Sequence, residues 1–543
     1  MKIKSFIPFA LLLTIGMVNI TGCQKGDLIN NPNVAGSGSI VPVSLLLNHL
    51  TATLIRSDEQ PWAVSGVASQ YVIANYQYYR GNNNYNFGNT SDSYDILKYA
   101  IALQKQATSQ QGNQTNVYFA LSQFFKAYSG VWLTQRVGDI PFSQAGDESV
   151  LTPKYDTQHD VYKNCLSLLD NANTLIANLI KANPSLANQK VDASGDIFGL
   201  TYLQWQKLIN TYRLRILISL SKRAADNADL QIPQQFATIV GNATQYPIMT
   251  SNTDNMVYVF NPVNRYPIYS LGFNPYNNFA NNGSTYLNIT TSTLDPRTFI
   301  TSTPAPTPVY GGKAVSDFTA YVGSDINLSQ ASLLNNSNQG QYSFANYNRY
   351  YVSATGANAE PFVFIGYSEM CFNIAEAINR GWVSGSSATW YNNGISASLA
   401  LYGLSNGQVL NIGFPITSTD PTINPKGLKQ GDTWGTATVD IAQFMAKVAY
   451  AGDNAAGLNQ ILTQKYVAMF NNSGWEPFFN FRRTGVPAFS QGGAGIGTPN
   501  NLIPRRWIYP ATESAYNGAN YKAAIASQFG GSDDPTKDTW LTK

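Results

Sequence analysis

Apolar residues return with a period near 3.6 along much of this chain, and that periodicity leaves few architectures open to it. In 113–134 the apolar positions Val117, Leu121, Phe124, Tyr128 and Trp132 fall three or four apart, the spacing that lines one face of a helix. The stretch 157–179 repeats the pattern through Val161, Cys165, Leu168, Leu169, Ala172, Leu175 and Ile176. It opens with Thr157 followed by Asp160, a capping signature. Two more such stretches follow: 202–224, through Trp205, Leu208, Ile209, Tyr212, Ile216 and Leu220, and 361–379, through Tyr367, Met370, Cys371, Ile374, Ala375 and Ile378. Weaker helical patterns occupy 43–55, 93–108, 386–401, 441–450 and 459–471. Helices in series, each with an apolar face to bury, predict a mainly α chain of antiparallel pairs stacked as in a helical repeat. No repeat of about 34 residues is visible in the sequence.

Between 231 and 359 the period is lost, and Pro, Gly, Asn, Ser and Thr dominate. A short run at 256–260 reads as a strand. The region is too long for a structureless loop, so it is expected to fold as irregular structure against the helices. Two further regions of this kind span 402–439 and 480–536. Loops on a rigid scaffold are where binding residues concentrate. No linker divides the chain, and 41–543 reads as a single domain.

Charged residues make up only 12% of the chain, while aromatics reach 13%, with 33 Tyr and 9 Trp. A surface of amides and aromatic rings suits uncharged, polyhydroxylated ligands, because sugar rings stack on aromatic faces and hydroxyls bond to amides. Only two histidines are present, His49 and His159. A histidine-rich zinc site is therefore implausible and a Ser-His-Asp triad poorly supplied. His159 is expected to face solvent in the first turn of its helix. Neither a metal nor a cofactor is called for. Cys165 and Cys371 fall on apolar helix faces and read as buried free thiols, with a disulfide as the alternative.

The N-terminus carries an export pattern. Lys2 and Lys4 precede the apolar stretch 6–18, which is too short to span a bilayer. Ile20-Thr21-Gly22-Cys23 resembles a bacterial lipobox. That resemblance implies a signal peptide over 1–22, acylation of Cys23 and a tether over 23–40, rich in Asn, Pro, Gly and Ser. The 34 basic residues, less Lys2 and Lys4, stand against 31 acidic ones and leave a mature formal charge of +1. Such a balance gives nucleic acid no electrostatic footprint.

Several strings then occur in order. "VWLTQRVGDIPFSQA" spans 131–145, "LTPKYDTQHDVY" 151–162 and "LQWQKLINTYRLRILISLSKRA" 203–224. "LDPR" follows at 294–297, "SEMCFNIAEAINRGW" at 368–382, "ILTQKYVAMF" at 461–470, "NFRRTGVP" at 480–487 and "IPRRWIYPATESAYN" at 503–517. Taken together this ordered set resembles the SusD/RagB family of outer-membrane lipoproteins, in the branch with PKYDTQ and RRTGVP forms, over nearly the whole mature chain. Phe142, where Tyr is frequent, and Asn480-Phe481, where an acidic-aromatic pair is usual, are small departures. The resemblance implies tetratricopeptide-like helix pairs in a right-handed superhelix supporting a large loop-rich region with few short strands. It also implies a non-catalytic, extracellular-facing binding protein of the outer membrane. Such a protein passes glycans, or in some members oligopeptides, to a SusC-like TonB-dependent transporter.

The shared motifs read as structure. Glu369 and Glu376 lie on one helical face, and Arg482-Arg483 and Arg505-Arg506 are their expected partners, since a carboxylate and a guanidinium can make two parallel hydrogen bonds. The competing reading makes the two glutamates a glycosidase pair. Ligand contacts are expected in 61–88, where Tyr78, Tyr79, Tyr85 and Phe87 offer stacking platforms and Asn75, Arg80 and Asn82 offer hydrogen bonds. Further candidates lie in 261–278, with Arg265, Tyr266, Tyr269 and Tyr276, and in 342–351. Each of these segments equally suits the seat on a transporter, where Tyr and Arg are enriched. A purely structural helical-repeat adaptor is a further reading of the same pattern.

Overall fold

The computed structural model describes residues 40–88, 94–268, 276–352 and 360–543. The expected signal, Cys23, nearly all of the tether and Tyr269 lie outside them. The scaffold begins with α1 (Val43–Thr53), α2 (Asp95–Gln111), α3 (Val117–Val137), α4 (Gln158–Ala182) and α5 (Tyr202–Ser219). The last three start at side-chain caps. Asn116 accepts from Phe119 N, Thr157 accepts from Asp160 N, and Thr201 and Gln204 form a reciprocal capping box. α3 stops at Gly138, whose φ of 102° is open to glycine and leads into the Asp139–Pro141 turn.

Consecutive helices pack on one another: α2 on α1, α3 on α2, α4 on α3 and α5 on α4. After a short helix, α6 (Ile232–Gly241), the array resumes with α7 (Tyr367–Asn379), which packs on α5, and with α8 (Ser387–Leu401) and α9 (Ala455–Ala468), which pack on α7. These are tetratricopeptide-like helix pairs. Every residue of α3 except Tyr118 and Lys126 is buried, so α3 is the central helix, covered on all sides. One apolar cluster runs from Val43 to Leu541, and smaller ones sit under the irregular regions.

Among the described residues strands are few and short, in four antiparallel pairs: β1 (Val72–Ala74) with β3 (Ala280–Asn282), β2 (Met256–Tyr258) with β6 (Phe362–Ile365), β4 (Ser302–Thr303) with β5 (Phe344–Ala345), and β7 (Val409–Gly413) with β8 (Thr433–Thr438). Most join segments distant in sequence. Three expectations need correction. The start of 361–379 is strand β6, with Gly366 as the break before α7. The region 231–359 holds real helices, among them α6, Ser284–Ser292 and Gln330–Asn338. The region 480–536 is entered by α10 (Glu476–Thr484) and ends on α11 (Gly518–Phe529). Apart from α11, all are too short to show several turns of period.

The buried ion pairs also rearrange the expected set. Glu376 receives Arg483 as foreseen, through Nη1 at 2.5 Å and Nη2 at 2.9 Å, and also Arg380. Glu369 is held instead by Arg215 of α5, through Nε at 2.7 Å and through Nη2. Arg482 donates to the carbonyls of Arg505 and Gln135. Arg505 and Arg506 pair with Asp538 and Asp533 at 2.7 and 2.5 Å. With both glutamates locked on guanidinium groups inside the scaffold, neither is placed to act as a glycosidase acid or nucleophile. Cys165 and Cys371 are buried and unpaired. His159 is partly covered, between Asp160 and Asp229.

Candidate ligand-binding face

The segment after β1 carries most of the sequence candidates, and its geometry sorts them. Asn75 is fully buried. Its Nδ2 donates to Asn281 Oδ1 at 2.8 Å, Ser337 Oγ at 2.9 Å and the Asn278 carbonyl at 3.1 Å. It is an anchor that fixes the following turn, not a ligand contact. Beyond it the single helical turn Gln77–Arg80 turns Tyr78 outward, 81% exposed, beside Tyr79, 41% exposed. The Tyr79 ring is stacked on Phe279 at 5.1 Å, Tyr76 meets the same Phe279 at 4.9 Å, and Tyr78 stands edge-on to Tyr79 at 4.8 Å. Four rings thus form one group held by the β1–β3 pairing. Arg80 donates to the Trp62 carbonyl at 3.0 Å.

From 82 to 87 the chain alternates. Asn82, Asn84 and Asn86 are exposed, while Asn83, Tyr85 and Phe87 point inward. Tyr85 donates to the Ala68 carbonyl at 2.9 Å and accepts from Gln70 at 3.1 Å. Phe87 lies flat on Trp507 at 3.9 Å. Both belong to the core packing, which corrects their reading as stacking platforms. Tyr266 is likewise buried, accepting from Trp62 Nε1 at 2.8 Å. Arg265 is exposed, with Nε on the Pro262 carbonyl at 3.0 Å. Tyr276 begins the turn Tyr276–Phe279, and its side chain lies outside the described part. Phe279 was missed in the sequence; only its pairing with β1 brings it to the tyrosines.

A cleft of about 690 Å³ lies on the inner side of the asparagine row. One wall is the end of α1 and the turn after it, from Thr53 to Asp58; the back is formed by Trp132 and Arg136 of α3 with Trp475 and Trp507. Glu59 sits behind this wall. It accepts from Trp132 Nε1 at 2.5 Å and from Arg136 Nη2 at 2.7 Å. Burial raises its pKa, and the neighbouring Arg136 offsets that only in part. Arg136 and Arg56 both lie over the Trp132 ring, at 3.4 and 4.0 Å. Nothing local in the sequence points to this arrangement, since Arg56 and Glu59 fall in a loop and Trp132 reads as an ordinary core position.

The family model described as SusD-like, "starch-binding associating with outer membrane", matches residues 36–510. The chain belongs to the SusD-like family. A SusD homologue of Bacteroides fragilis shares 26% identity with this SusD-like chain and superimposes with a TM-score of 0.76, covering 93% of it and 100% of the homologue. A second from the same species shares 28% at a TM-score of 0.69, covering 93% and 99%. A SusD homologue of Bacteroides uniformis, at 20% identity and a TM-score of 0.69, covers 92% and 99% and shares the fold. No curated protein matches the chain in sequence. The SusD-like family is one of nutrient-binding proteins associated with the outer membrane. No helix among the described residues is long and apolar enough to cross a membrane.

Proposed function

We propose that this SusD-like protein is a lipoprotein, anchored through Cys23 at the cell surface, that binds glycans or oligosaccharides. It delivers them unaltered to a SusC-like TonB-dependent transporter. The observation that carries the glycan reading is the exposed ring group of Tyr78 and Tyr79 backed by Phe279. Exposed aromatic rings are costly to leave in water and are well suited to the C–H faces of sugars. The exposed amides of Asn82, Asn84 and Asn86 stand close by in the chain, and each offers both a donor and an acceptor to a hydroxyl. An amide-rich rim also accommodates peptide backbones, so oligopeptide capture is the reading to be tested against it.

The test is titration calorimetry with polysaccharides, oligosaccharides and oligopeptides, with the recovered ligand checked for cleavage. Saturable heat with an intact glycan is expected. The double variant Tyr78→Ala, Tyr79→Ala is expected to lower that affinity at least tenfold, about 1.4 kcal/mol. Heat with peptides alone, cleaved ligand, or full affinity in the double variant would each overturn the reading.

A further inference from the structure

A concavity on the scaffold, sharing no residue with the tyrosine group or the cleft, collects positive charge. Its volume is about 320 Å³, and it lies where the chain leaving α5, the end of α7, the first turns of α9 and the turn after α10 meet. Lys222, Arg380 and Arg483 all line it. One carboxylate stands against the two guanidinium groups. Glu376, fully buried behind them, accepts from Arg380 Nε and from Arg483 Nη2, each at 2.9 Å. Asp538, whose charge reaches Lys222, is taken by Arg505 at 2.7 Å. Three cations against one carboxylate leave the pocket with an excess of positive charge.

Two of these cations are open to a ligand. Lys222 is exposed and has three N–H donors, of which one goes to the Thr542 carbonyl at 2.6 Å. The Arg380 side chain is 27% exposed; it turns Nε and Nη2 to Glu376 and keeps Nη1 for another acceptor. Beside them Ser221 Oγ accepts from Arg483 Nη1 at 2.8 Å, which leaves its hydrogen to donate. Partial burial, with Arg505 nearby, holds the Lys222 amine below its ordinary pKa, as for a cation with too little counter-charge.

The rest of the lining limits what carries the anion. Leu458, Leu462 and Val486 make one side aliphatic. Among the described residues no aromatic ring lines the pocket, so it lacks the platform on which a sugar ring stacks. An inorganic oxyanion would meet the cations and leave the aliphatic side uncovered. A carboxylate with an aliphatic side chain next to it answers both sides.

We propose that this pocket docks an acidic peptide segment of a partner protein. A Glu or Asp carboxylate accepts from Lys222 Nζ and Arg380 Nη1 in charge-assisted hydrogen bonds, and a neighbouring aliphatic side chain covers Leu458 and Val486. Arg483, held by Glu376, supplies positive charge behind them. The assignment goes beyond glycan capture and stands whether or not Tyr78 and Tyr79 bind a sugar.

The test is fluorescence polarisation on the full chain with a labelled, end-blocked hexapeptide of alternating Leu and Glu. Saturable binding is expected, weakened at least threefold between 50 and 300 mM salt. Peptides with Gln for Glu, or Ser for Leu, are expected to bind at least tenfold less tightly. Lys222→Gln and Arg380→Gln are each expected to lower the affinity at least fivefold. Asn459→Asp changes an exposed lining residue and puts a carboxylate in the pocket. It is expected to lower the affinity at least as much with an unchanged melting temperature. The Tyr78→Ala, Tyr79→Ala variant is expected to bind the peptide like the unmodified protein. No saturable binding, equal affinity for the Gln peptide, or full affinity in Asn459→Asp would each overturn the docking site. Inorganic phosphate or glucuronate that displaces the labelled peptide at lower concentration than the unlabelled peptide does would overturn the peptide assignment.

Discussion

Glu376 has no exposed surface and holds two guanidinium groups at once, Arg483 from α10 and Arg380 from the end of α7. Burial alone would push its carboxyl up. The two arginines outweigh burial and hold it at about 2, against an ordinary value of 4.5. A depressed carboxyl contributes stability that is complete above the ordinary value and is lost as pH falls from about 4.5 towards about 2. Glu376→Gln leaves Arg483 buried without a counter-charge, and its expected cost at neutral pH is about 3–5 kcal/mol. The variant is also expected to lose the share of acid sensitivity that falls in that window. Thermal unfolding followed from pH 7 to pH 3 checks both, and an unchanged melting temperature at pH 7 would refute the role. The sequence showed the carboxylates and the arginine pairs but not their matching. Glu369 goes to Arg215 because α5 and α7 are neighbours in space, and nothing local in either helix signals it. In the same way Phe87 looked like a platform until Trp507, far along the chain, was seen lying on it.

Among the elements, the long helices were legible because each shows several turns of one period, and α3, α4 and α5 also have a capping residue at the start. β6 was not, since a four-residue apolar run before α7 looks the same whether it is strand or helix, and its partner β2 lies far back in the chain. Tyr78 and Tyr79 were legible as exposed rings in a polar stretch; their partner Phe279 required the β1–β3 register. At Gly130 α3 and α4 pack closely. A Cβ there would lie 2.7 Å from the Phe142 ring and 2.8 Å from Cys165 Sγ, well inside contact distance. Gly130→Ala therefore sets a helix-propensity gain of about 1 kcal/mol against an overpacking cost of about 1–3 kcal/mol. The neighbours are a buried ring from the turn after α3 and a buried thiol on α4, with little room to yield, so net destabilisation is expected. Chemical denaturation at constant pH reads it directly. A more stable variant would mean that α4 can slide away from α3 freely.

At the scale of the whole molecule, the irregular part is clasped to the scaffold from several sides, which keeps the tyrosine group and the cleft in fixed positions. β1–β3 joins the N-terminal segment to the middle of the chain, Trp507 backs Phe87, and the last residues return to the helices. Lys222 and Arg223 donate to the carbonyls of Thr542 and Lys543 at 2.6 and 2.8 Å, and Leu541 N donates to Gln158 of α4 at 2.8 Å. On the way the tail supplies Asp533 to Arg506, a guanidinium with no exposed surface that lies 3.7 Å over the Phe529 ring. Ending the chain after Gly530 would remove Asp533 and leave Arg506 buried and uncompensated, at a cost of about 3–5 kcal/mol. The lost burial of Leu541 adds roughly 1.5–3 kcal/mol. Since Arg506 and Trp507 are adjacent, relief of the buried charge by local opening is expected to loosen the back of the cleft. The shortened chain should therefore unfold at a lower temperature, yet below that temperature keep glycan binding at Tyr78 and Tyr79. Thermal unfolding and the sugar titrations on the same sample separate the two effects. A shortened chain that melts with the full-length protein would show that the tail rests on the scaffold without holding it.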